Sequence, residues 1–442
     1  MASLCSLFVA ALAGTAAAAT TGSFNVLSMN VAGLPAILQN NDETGDKKTN
    51  AGTIGTDFAK YGYNVIHVQE DFNYHAYIYA ADNHKYRTAT SGGAAIGSGL
   101  NTLASFDWVD FTRVKWNTCS DASSNDCETP KGFTFMRVII DADSGVFADF
   151  YNLHADAGTE TGDETARTAN LEQVAAYIDT WSVGNAVLVF GDTNSRYTRA
   201  ADNITVFARQ NGLTDAWVQL ERAGVNPTVE TLCDNPTTSN TCETVDKVFY
   251  RGNAVVDLKA TYFNYESKKF LQANGSVLTD HNPITVSFDW TLSNSLRQSS
   301  FWGGPHGSWF SDLPTLKSRI AAGKVPKPSV LSFSGASRLD SVGLTLTDGT
   351  VFSHGGTGGT AASLTLGATE YWVSAELCQG EKNSETRAFY IKATTSSGKT
   401  LTAGTATSDC ATFTAPTGWQ IVGFVGQDGD EVDQLAFVYG KK

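Results

Sequence analysis

The stretch AVLVFGDTNSR, residues 186–196, places the strongest constraint on how this chain can fold. Its first five residues form an uninterrupted apolar run, which is typical of a strand buried on both faces. The residues that follow, from 191 to 196, are too polar for the same core. The run therefore predicts a strand inside a layered fold, with a polar cluster where the strand ends.

Other strand-like runs lie on either side of this one, at residues 24–31, 64–70, 133–140, 146–154, 245–251 and 283–290. A stretch between two of them has apolar residues at helical spacing, and these are Ala166, Leu171, Val174, Ala175, Ile178 and Trp181. Strands alternating with such a helix predict an α/β domain rather than a helical bundle.

The composition changes after Trp290. Residues 291–299 are polar and Ser-rich, as expected of a linker. Beyond them Gly, Thr and Ser dominate, and short alternating runs predict an all-β domain over residues 300–442, with one helix candidate at 313–323. A chain of 442 residues is long enough for two domains, so we place the first over residues 20–290.

Residues 1–19 carry no charged side chain, and an apolar centre leads into a run of alanines. This pattern predicts a secretory signal peptide and an extracellular protein, with a buried N-terminal helix as the alternative. No other segment is apolar and long enough to span a bilayer, which predicts a protein without a transmembrane segment.

Six cysteines lie outside the predicted signal peptide, and they form three pairs of sequence neighbours. None has the spacing typical of a metal site, so structural disulfides are favoured, and nearest-neighbour pairing is the simplest of the many connectivities. Asn203 and Asn274 begin N-x-S/T sequons, which are acceptors for glycans in secreted proteins.

The formal net charge is -14, and the excess of acidic residues lies almost entirely before Phe301. An acidic domain has no generic basic surface for holding a polyanion. It can still bind a phosphate group through a metal ion, which reverses the local charge.

Several predicted strands end on, or begin just after, side chains suited to metal or phosphate chemistry. These side chains are Asn30, Glu70, His154, Asp192, Asn194, Asp280 and His281. In α/β sheets, ligands bind beyond the strand ends, where the loops converge. The recurrence of such groups at five strand ends predicts one shared site.

In order, the motifs SMNVAGLP, VQEDF, YNLHAD, GDTNSR, VDKVFY and TDHNPI resemble those of the endonuclease/exonuclease/phosphatase superfamily, which includes deoxyribonuclease and neutral sphingomyelinases. The resemblance covers roughly residues 24–290. It implies an α/β four-layer sandwich, two packed β-sheets flanked by helices, with a Mg²⁺-dependent phosphoesterase site at one edge.

The resemblance also implies a role for each matching residue. Glu70, Asn30 and Asp280 would hold Mg²⁺, or another divalent cation such as Mn²⁺ or Ca²⁺, because these ions prefer oxygen ligands. His281 would be the catalytic histidine, oriented and kept charged by Asp246.

Three further residues would act on the phosphodiester itself. Asp192 would align or deprotonate the attacking water, and Asn194 would hold a phosphoryl oxygen. His154 would hold a phosphoryl oxygen as a charged donor or deliver a proton to the leaving group. Arg137 occupies a position where the superfamily often has a basic residue near the site. His67 alternates with apolar residues, which favours a packed histidine over a ligand.

The substrate implied by the resemblance is a phosphodiester, either a lipid headgroup or a nucleic acid. SGLNTLASF and ARTANLEQV are similar to stretches of the sphingomyelinase branch, and the acidic charge disfavours a nucleic-acid groove. A sphingomyelinase-like lipid substrate is therefore preferred. The alternatives are a secreted endonuclease and a glycan-binding protein with an inert first domain.

The second domain resembles the jacalin-related lectins, a β-prism family, over roughly residues 300–440. The resemblance rests on FWGGPHGSWFSD, GLTLTDGTVFSHGGTGG, TEYWVSAEL and IVGFVGQDGDEVDQLAFVY. It implies binding of a cell-surface glycan through Gly303, Gly304, Gly429 and Asp433, because glycine exposes backbone N–H groups and a carboxylate accepts sugar hydroxyls. Residues 430–432 depart from the usual aromatic pair, which leaves a spacer or docking module as the alternative.

Overall fold

The computed structural model describes residues 19–35, 44–91, 97–123 and 126–442. The predicted signal peptide, apart from Ala19, lies outside these ranges. Among the helices within them, none has both the length and the apolar character needed to cross a bilayer.

The first domain contains two sheets and five helices within the described ranges. Its strands are β1 (Thr21–Asn30), β2 (Val65–Gln69), β3 (Tyr86–Arg87), β4 (Asn101–Ala104), β5 (Trp108–Lys115), β6 (Gly132–Asp141), β7 (Val146–Leu153), β8 (Ala186–Asp192), β9 (Thr214–Asp215), β10 (Asp246–Arg251), β11 (Val256–Tyr265) and β12 (Ile284–Leu292). Its helices are α1 (Lys47–Tyr61), α2 (His75–Ala81), α3 (Thr161–Trp181), α4 (Val206–Asn211) and α5 (Ala216–Glu221).

The two sheets pack face to face. Their strand orders are β11-β12-β1-β2-β4-β3 and β5-β6-β7-β8-β10-β9. An apolar core fills the space between them, while α1 and α2 cover the outer face of the first sheet and α3 and α4 cover that of the second. The predicted α/β four-layer sandwich is confirmed.

Strand β8 contains the apolar run of residues 186–190. Leu188 and Phe190 point into the core between the sheets, whereas Val187 and Val189 pack beneath the helices on the outer face. All four side chains are fully buried. Alternate residues of β8 thus face two different cores, so every position must be apolar.

The second domain is built almost entirely from strands. They are β13 (Leu296–Gln298), β14 (Trp302–Gly303), β15 (Ser308–Ser311), β16 (Pro328–Gly335), β17 (Leu339–Leu346), β18 (Val351–Gly355), β19 (Thr360–Thr365), β20 (Trp372–Lys382), β21 (Glu385–Thr395), β22 (Thr400–Gly404), β23 (Asp409–Thr414), β24 (Trp419–Asp428) and β25 (Val432–Lys441). Helix α6 (Leu313–Ala321) matches the predicted helix candidate.

These strands form three sheets around one apolar core. The sheet orders are β13-β25-β24-β15 with β14 beside β25, β18-β17-β16-β19, and β22-β21-β20-β23. The predicted β-prism is confirmed. The stretch predicted as a linker is short and structured, because β12 extends to Leu292 and β13 begins at Leu296 and pairs with β25.

The two domains are joined by a specific junction. Trp309 lies over the guanidinium group of Arg137 at 3.5 Å, and its indole N–H donates to the carbonyl of Val183 at 3.0 Å. Arg137 is buried and forms an ion pair with Asp149 at 2.8 Å. The expectation that Arg137 lies near the site was wrong, because its polar partners are at the opposite end of the sheet.

Disulfides join Cys119 to Cys127, Cys233 to Cys242 and Cys378 to Cys410. The nearest-neighbour pairing expected from the sequence is confirmed. The first two bonds close local loops, with sequence separations of 8 and 9, and the third joins the paired strands β20 and β23. Each bond therefore lies within one domain.

His67 is a packed histidine, as predicted. Its ring stacks on Phe190 with 3.6 Å between ring centroids, and its Nδ1 lies 3.2 Å from the Phe190 carbonyl oxygen. The residue is fully buried, and this burial lowers the pKa of His67 from 6.5 to about 3.

This pKa shift predicts acid sensitivity. Below about pH 6.5 the unfolded chain binds a proton at His67, but the folded protein does not bind it until the pH approaches about 3. The free energy of unfolding therefore falls as the pH decreases through this window. We expect His67→Phe to reduce that fall, measured by urea unfolding at about pH 7 and pH 5. An unchanged pH dependence in this variant, equal to that of the control His306→Phe, would contradict the assignment.

Candidate active site

The sheet topology brings the polar strand ends together. β1 and β2 are parallel, as are β7 and β8, so their carboxyl ends share one edge of the two-sheet core. β10 and β12 run antiparallel to β8 and β1, so they begin at that edge. Asp246 lies directly opposite Asp192 in the register of β10 and β8.

His281 lies between two carboxylates. Its Nδ1 is 2.9 Å from Asp246 Oδ2, and its Nε2 is 3.7 Å from Asp192 Oδ2. Burial opposes the charged imidazolium, but Asp246 and Asp192 outweigh it and hold the pKa of His281 well above 6.5. These contacts favour the charged form of His281 at neutral pH.

Asp192 is the buried centre of the site. One of its oxygens accepts from Asn30 Nδ2 at 3.2 Å, and the other accepts from the backbone N–H of Asn194 at 2.9 Å. Burial raises the pKa of Asp192 to about 6, with His281 opposing this effect and Asp246 adding to it. A carboxylate with a pKa near neutrality is suited to accepting a proton.

Asn30 anchors the two carboxylates rather than facing a cation with its oxygen. Its Oδ1 accepts the backbone N–H of Ala32 at 3.0 Å, which fixes the orientation of the amide. Its Nδ2 donates to Glu70 Oε1 at 3.0 Å as well as to Asp192. The expected role of Asn30 as an oxygen ligand does not match this arrangement, since an amide N–H₂ cannot bind a cation.

Glu70 and Asp280 are the two carboxylates predicted from the sequence to hold a divalent cation. Partial desolvation raises the pKa of Asp280, His281 opposes this, and the nearby charge of Glu70 raises it further. Carboxylate oxygens are the donors that Mg²⁺ prefers, so these two residues stay the candidate cation site. The ligand atoms of Asp192, Asp246 and His281 also lie within 4.8 Å of one another, but there the imidazolium already supplies the positive charge.

His154 lies beside a cation that sequence reasoning missed. Its Nε2 is 3.5 Å from Asp192 Oδ2 and 3.2 Å from Lys131 Nζ. Burial, Lys131 and His281 hold the pKa of His154 well below 6.5, so the expected charged form is disfavoured. Lys131 pairs with Asp126 and supplies the positive charge instead.

Sequence reasoning had a signal for Lys131 and did not use it. The residue directly precedes β6, and its partner His154 directly follows β7, which is antiparallel to β6. Such a pairing places the start of one strand beside the end of the next. The basic residue beside His154 is therefore Lys131, six positions before Arg137.

Asn194 lies at the site in a left-handed conformation, with φ of 47°. Its Nδ2 donates to the carbonyl of Ala155 at 3.0 Å, and its carbonyl accepts from Arg199. The turn is thus tied to the loop after His154. If Asn194 holds a phosphoryl oxygen, as predicted, that oxygen must accept a hydrogen bond from the same Nδ2 group that already donates to Ala155.

A disulfide-closed loop, residues 233–242, holds the segment that carries Asp280 and His281. Asn282 is the main connection: its Nδ2 donates to the carbonyl of Asp234 at 3.1 Å, and its Oδ1 accepts the N–H of Thr237 at 3.2 Å. Asn235 Nδ2 also donates to the carbonyl of Thr279 at 2.9 Å. These contacts fix the backbone on both sides of His281.

We therefore expect the double variant Cys233→Ser/Cys242→Ser to lose about tenfold or more in kcat, because small misplacements of a catalytic group are costly. The matched control is Cys378→Ser/Cys410→Ser, which removes the disulfide of the second domain. Steady-state kinetics on a soluble phosphodiester, with circular dichroism to verify folding, checks the prediction. Equal kcat values in the two folded double variants would contradict it.

The four predicted sugar-binding residues converge at one end of the β-prism. The N–H of Gly304 donates to the carbonyl of Asp433 at 3.1 Å, and Gly303 has φ of 98°, which favours glycine. A Cβ on Gly429 would meet only Asp433 Oδ2, at 4.0 Å, so this loop is open. Arg387 donates to Asp433 Oδ1, and only 2% of the Asp433 side chain is exposed.

Comparison with known proteins identifies both parts of the chain. Residues 47–287 match the profile of endonuclease/exonuclease/phosphatase family 2, and residues 299–438 match that of the jacalin-like lectin domain. Sphingomyelinases of Mycobacterium tuberculosis and Mycobacterium bovis are 36% identical over 288 residues, which is 62% of this chain and 54% of theirs. The chain thus spans about half the length of these relatives.

Solved structures of both kinds are similar in part. Sphingomyelinase C from Streptomyces griseocarneus is 17% identical, covering 60% of this chain and 99% of its own, with a TM-score of 0.43. Malaysian banana lectin is 20% identical, covering 33% of this chain and 98% of its own, with a TM-score of 0.28. On the match over residues 47–287, the chain belongs to endonuclease/exonuclease/phosphatase family 2, and a jacalin-like lectin domain follows.

Proposed function

We propose that this chain is a secreted, divalent-cation-dependent phosphodiesterase that hydrolyses a sphingomyelin-type lipid and binds a glycan through its second domain. The observation that carries the proposal is the position of His281 between Asp246 and Asp192, beside the Asn30–Glu70 pair. This arrangement combines a charged donor, a buried carboxylate of raised pKa and a candidate cation site at one sheet edge.

Each group has a task in the attack of water on a phosphodiester. Asp192 accepts a proton from the water, since burial raises its pKa to about 6. The His281 imidazolium donates to the oxygen on which negative charge develops, and Asp246 keeps it charged. Lys131 adds positive charge beside neutral His154. A divalent cation held by Glu70 and Asp280 would add further stabilisation of that negative charge.

The lipid substrate is preferred on two grounds. The mycobacterial relatives are named sphingomyelinases, and they match 62% of this chain. The excess acidic charge of the first domain opposes a generic polyanion groove. Secretion is supported by the three disulfides, which are typical of oxidising compartments.

The deciding experiment compares sphingomyelin in detergent micelles with double-stranded DNA, each with the purified full chain and Mg²⁺. We expect the chain to hydrolyse sphingomyelin and EDTA to abolish this hydrolysis. We expect cleavage of DNA to be slower or absent. Faster turnover of DNA would overturn the lipid assignment in favour of an endonuclease. Absence of both activities would favour a glycan-binding protein with an inert first domain.

The glycan-binding part of the proposal has its own test. Binding of the full chain to a panel of immobilised glycans is expected, and Asp433→Asn should weaken it about tenfold, because the charged acceptor for a sugar hydroxyl is lost. If no glycan binds the wild-type chain, the second domain serves as a spacer or docking module.

A further inference from the structure

Three large apolar side chains are exposed in one loop of the first domain. They are Val225, Val229 and Leu232, with exposed fractions of 66%, 74% and 53%. Single exposed apolar residues are common, but three exposed within one loop make that loop a candidate interaction surface. Residues 223–232 are called the apolar loop below.

The apolar loop is held in place before any partner binds. Pro227 is buried and anchors its middle, and Glu230 forms an ion pair with Arg196. Near its end, the carbonyl of Thr231 accepts the N–H of Glu243 at 2.7 Å, and the Cys233–Cys242 disulfide follows. Binding through such a preordered loop costs little conformational entropy.

The same contacts place the apolar loop beside the candidate active site. Arg196 follows Asn194 by two residues, and Glu243 precedes Asp246 by three. The disulfide-closed loop that continues from the apolar loop holds Asn282, next to His281. The apolar loop is therefore tied to the segments before β10 and β12 and after β8, at the edge of the sheets where the site lies.

We propose that the apolar loop inserts into the surface of a zwitterionic membrane and brings the active site to the lipid headgroups. This inference rests on the proposed lipid substrate. Side chains such as Val and Leu bind membranes by moving apolar surface out of water. An anionic membrane is disfavoured, because the chain carries a net charge of -14 and Glu230 and Asp234 flank the loop's exposed end.

The test uses the full-length variant Val225→Ser/Val229→Ser/Leu232→Ser. Because these side chains are exposed, the substitutions leave the core intact. The matched control is Val325→Ser/Val351→Ser, at two valines of the second domain that are 63% and 65% exposed. Each protein is assayed for cosedimentation with phosphatidylcholine–sphingomyelin vesicles, for hydrolysis of sphingomyelin in those vesicles, and for hydrolysis of soluble bis(p-nitrophenyl) phosphate.

The triple variant is expected to lose about tenfold or more in vesicle binding and vesicle hydrolysis, while its activity on the soluble substrate stays within about twofold. The control should match the wild type in all three assays. Unchanged vesicle binding by the triple variant would overturn the inference, and would leave a protein partner for the loop. If the wild type hydrolyses no sphingomyelin in micelles, the proposed substrate fails, and cosedimentation still decides whether the loop binds membranes.

Discussion

Replacement of His281 by asparagine is expected to lower kcat on a soluble phosphodiester by about 10³-fold, within the range observed for loss of a general acid or base. Asparagine cannot carry the positive charge that Asp246 and Asp192 hold on the imidazole. KM should change little, because the charge acts mainly on the transition state. Steady-state kinetics on bis(p-nitrophenyl) phosphate measures both constants.

The control for this variant is His306→Asn, in the second domain, which should retain wild-type kinetics. Asp246→Asn supplies a second readout. Removing that carboxylate lowers the pKa of His281. The fall of kcat/KM on the alkaline side of its pH profile should therefore occur at lower pH. A variant at His281 with nearly full activity, or an unmoved alkaline side of the profile in Asp246→Asn, would show that His281 is not the charged donor.

Replacement of Glu70 by glutamine is expected to have an effect of similar size, about 10³-fold in kcat at fixed Mg²⁺ concentration, since a bound cation contributes several kcal/mol to the transition state. Glutamine keeps the shape and the contact with Asn30 but loses the negative charge. Titration with Mg²⁺ should show a weaker apparent affinity. Glu172→Gln on the surface of α3 is the matched control.

Thermal unfolding gives a readout of cation binding that does not depend on catalysis. A ligand that binds the folded state raises the melting temperature. Added Mg²⁺ should therefore raise Tm for the wild type and for Glu172→Gln, with a smaller or absent rise for Glu70→Gln. The same rise in all three proteins would place the cation away from Glu70.

The candidate site was largely predictable because it depends on strand ends. Apolar runs reveal where strands stop, and parallel neighbours bring their carboxyl ends to one edge. Lys131 was overlooked although its position was informative: it directly precedes β6, whereas Arg137 lies in the middle of that strand. The orientation of Asn30 depends on the backbone N–H of Ala32, which no residue pattern reveals.

The fold was predicted less completely where the apolar pattern is weak. Helix α1 was missed because its core residues, Ala51, Ile54 and Phe58, are separated by Gly and Thr. Its caps were the available signal: Asp46 accepts from the N–H of Thr49 at the start, and Gly62 takes the left-handed conformation at the end. Strand β4 was read only as part of a motif, and β5 lacks clear alternation. Strand β11 was missed although apolar and charged residues alternate from Val256 to Ala260.

The junction of Trp309 on Arg137, together with the short connection from Leu292 to Leu296, has a consequence for avidity. With a long flexible linker, the catalytic domain of a glycan-bound enzyme could reach substrate anywhere within a volume around the glycan. The effective concentration of substrate would then depend on the length of the linker. Here the short connection and the contacts of Trp309 would make a glycan-bound second domain and the catalytic edge turn together. The glycan partner would therefore select the direction in which the apolar loop faces, and only glycans held at a suitable angle to a membrane would increase lipid turnover.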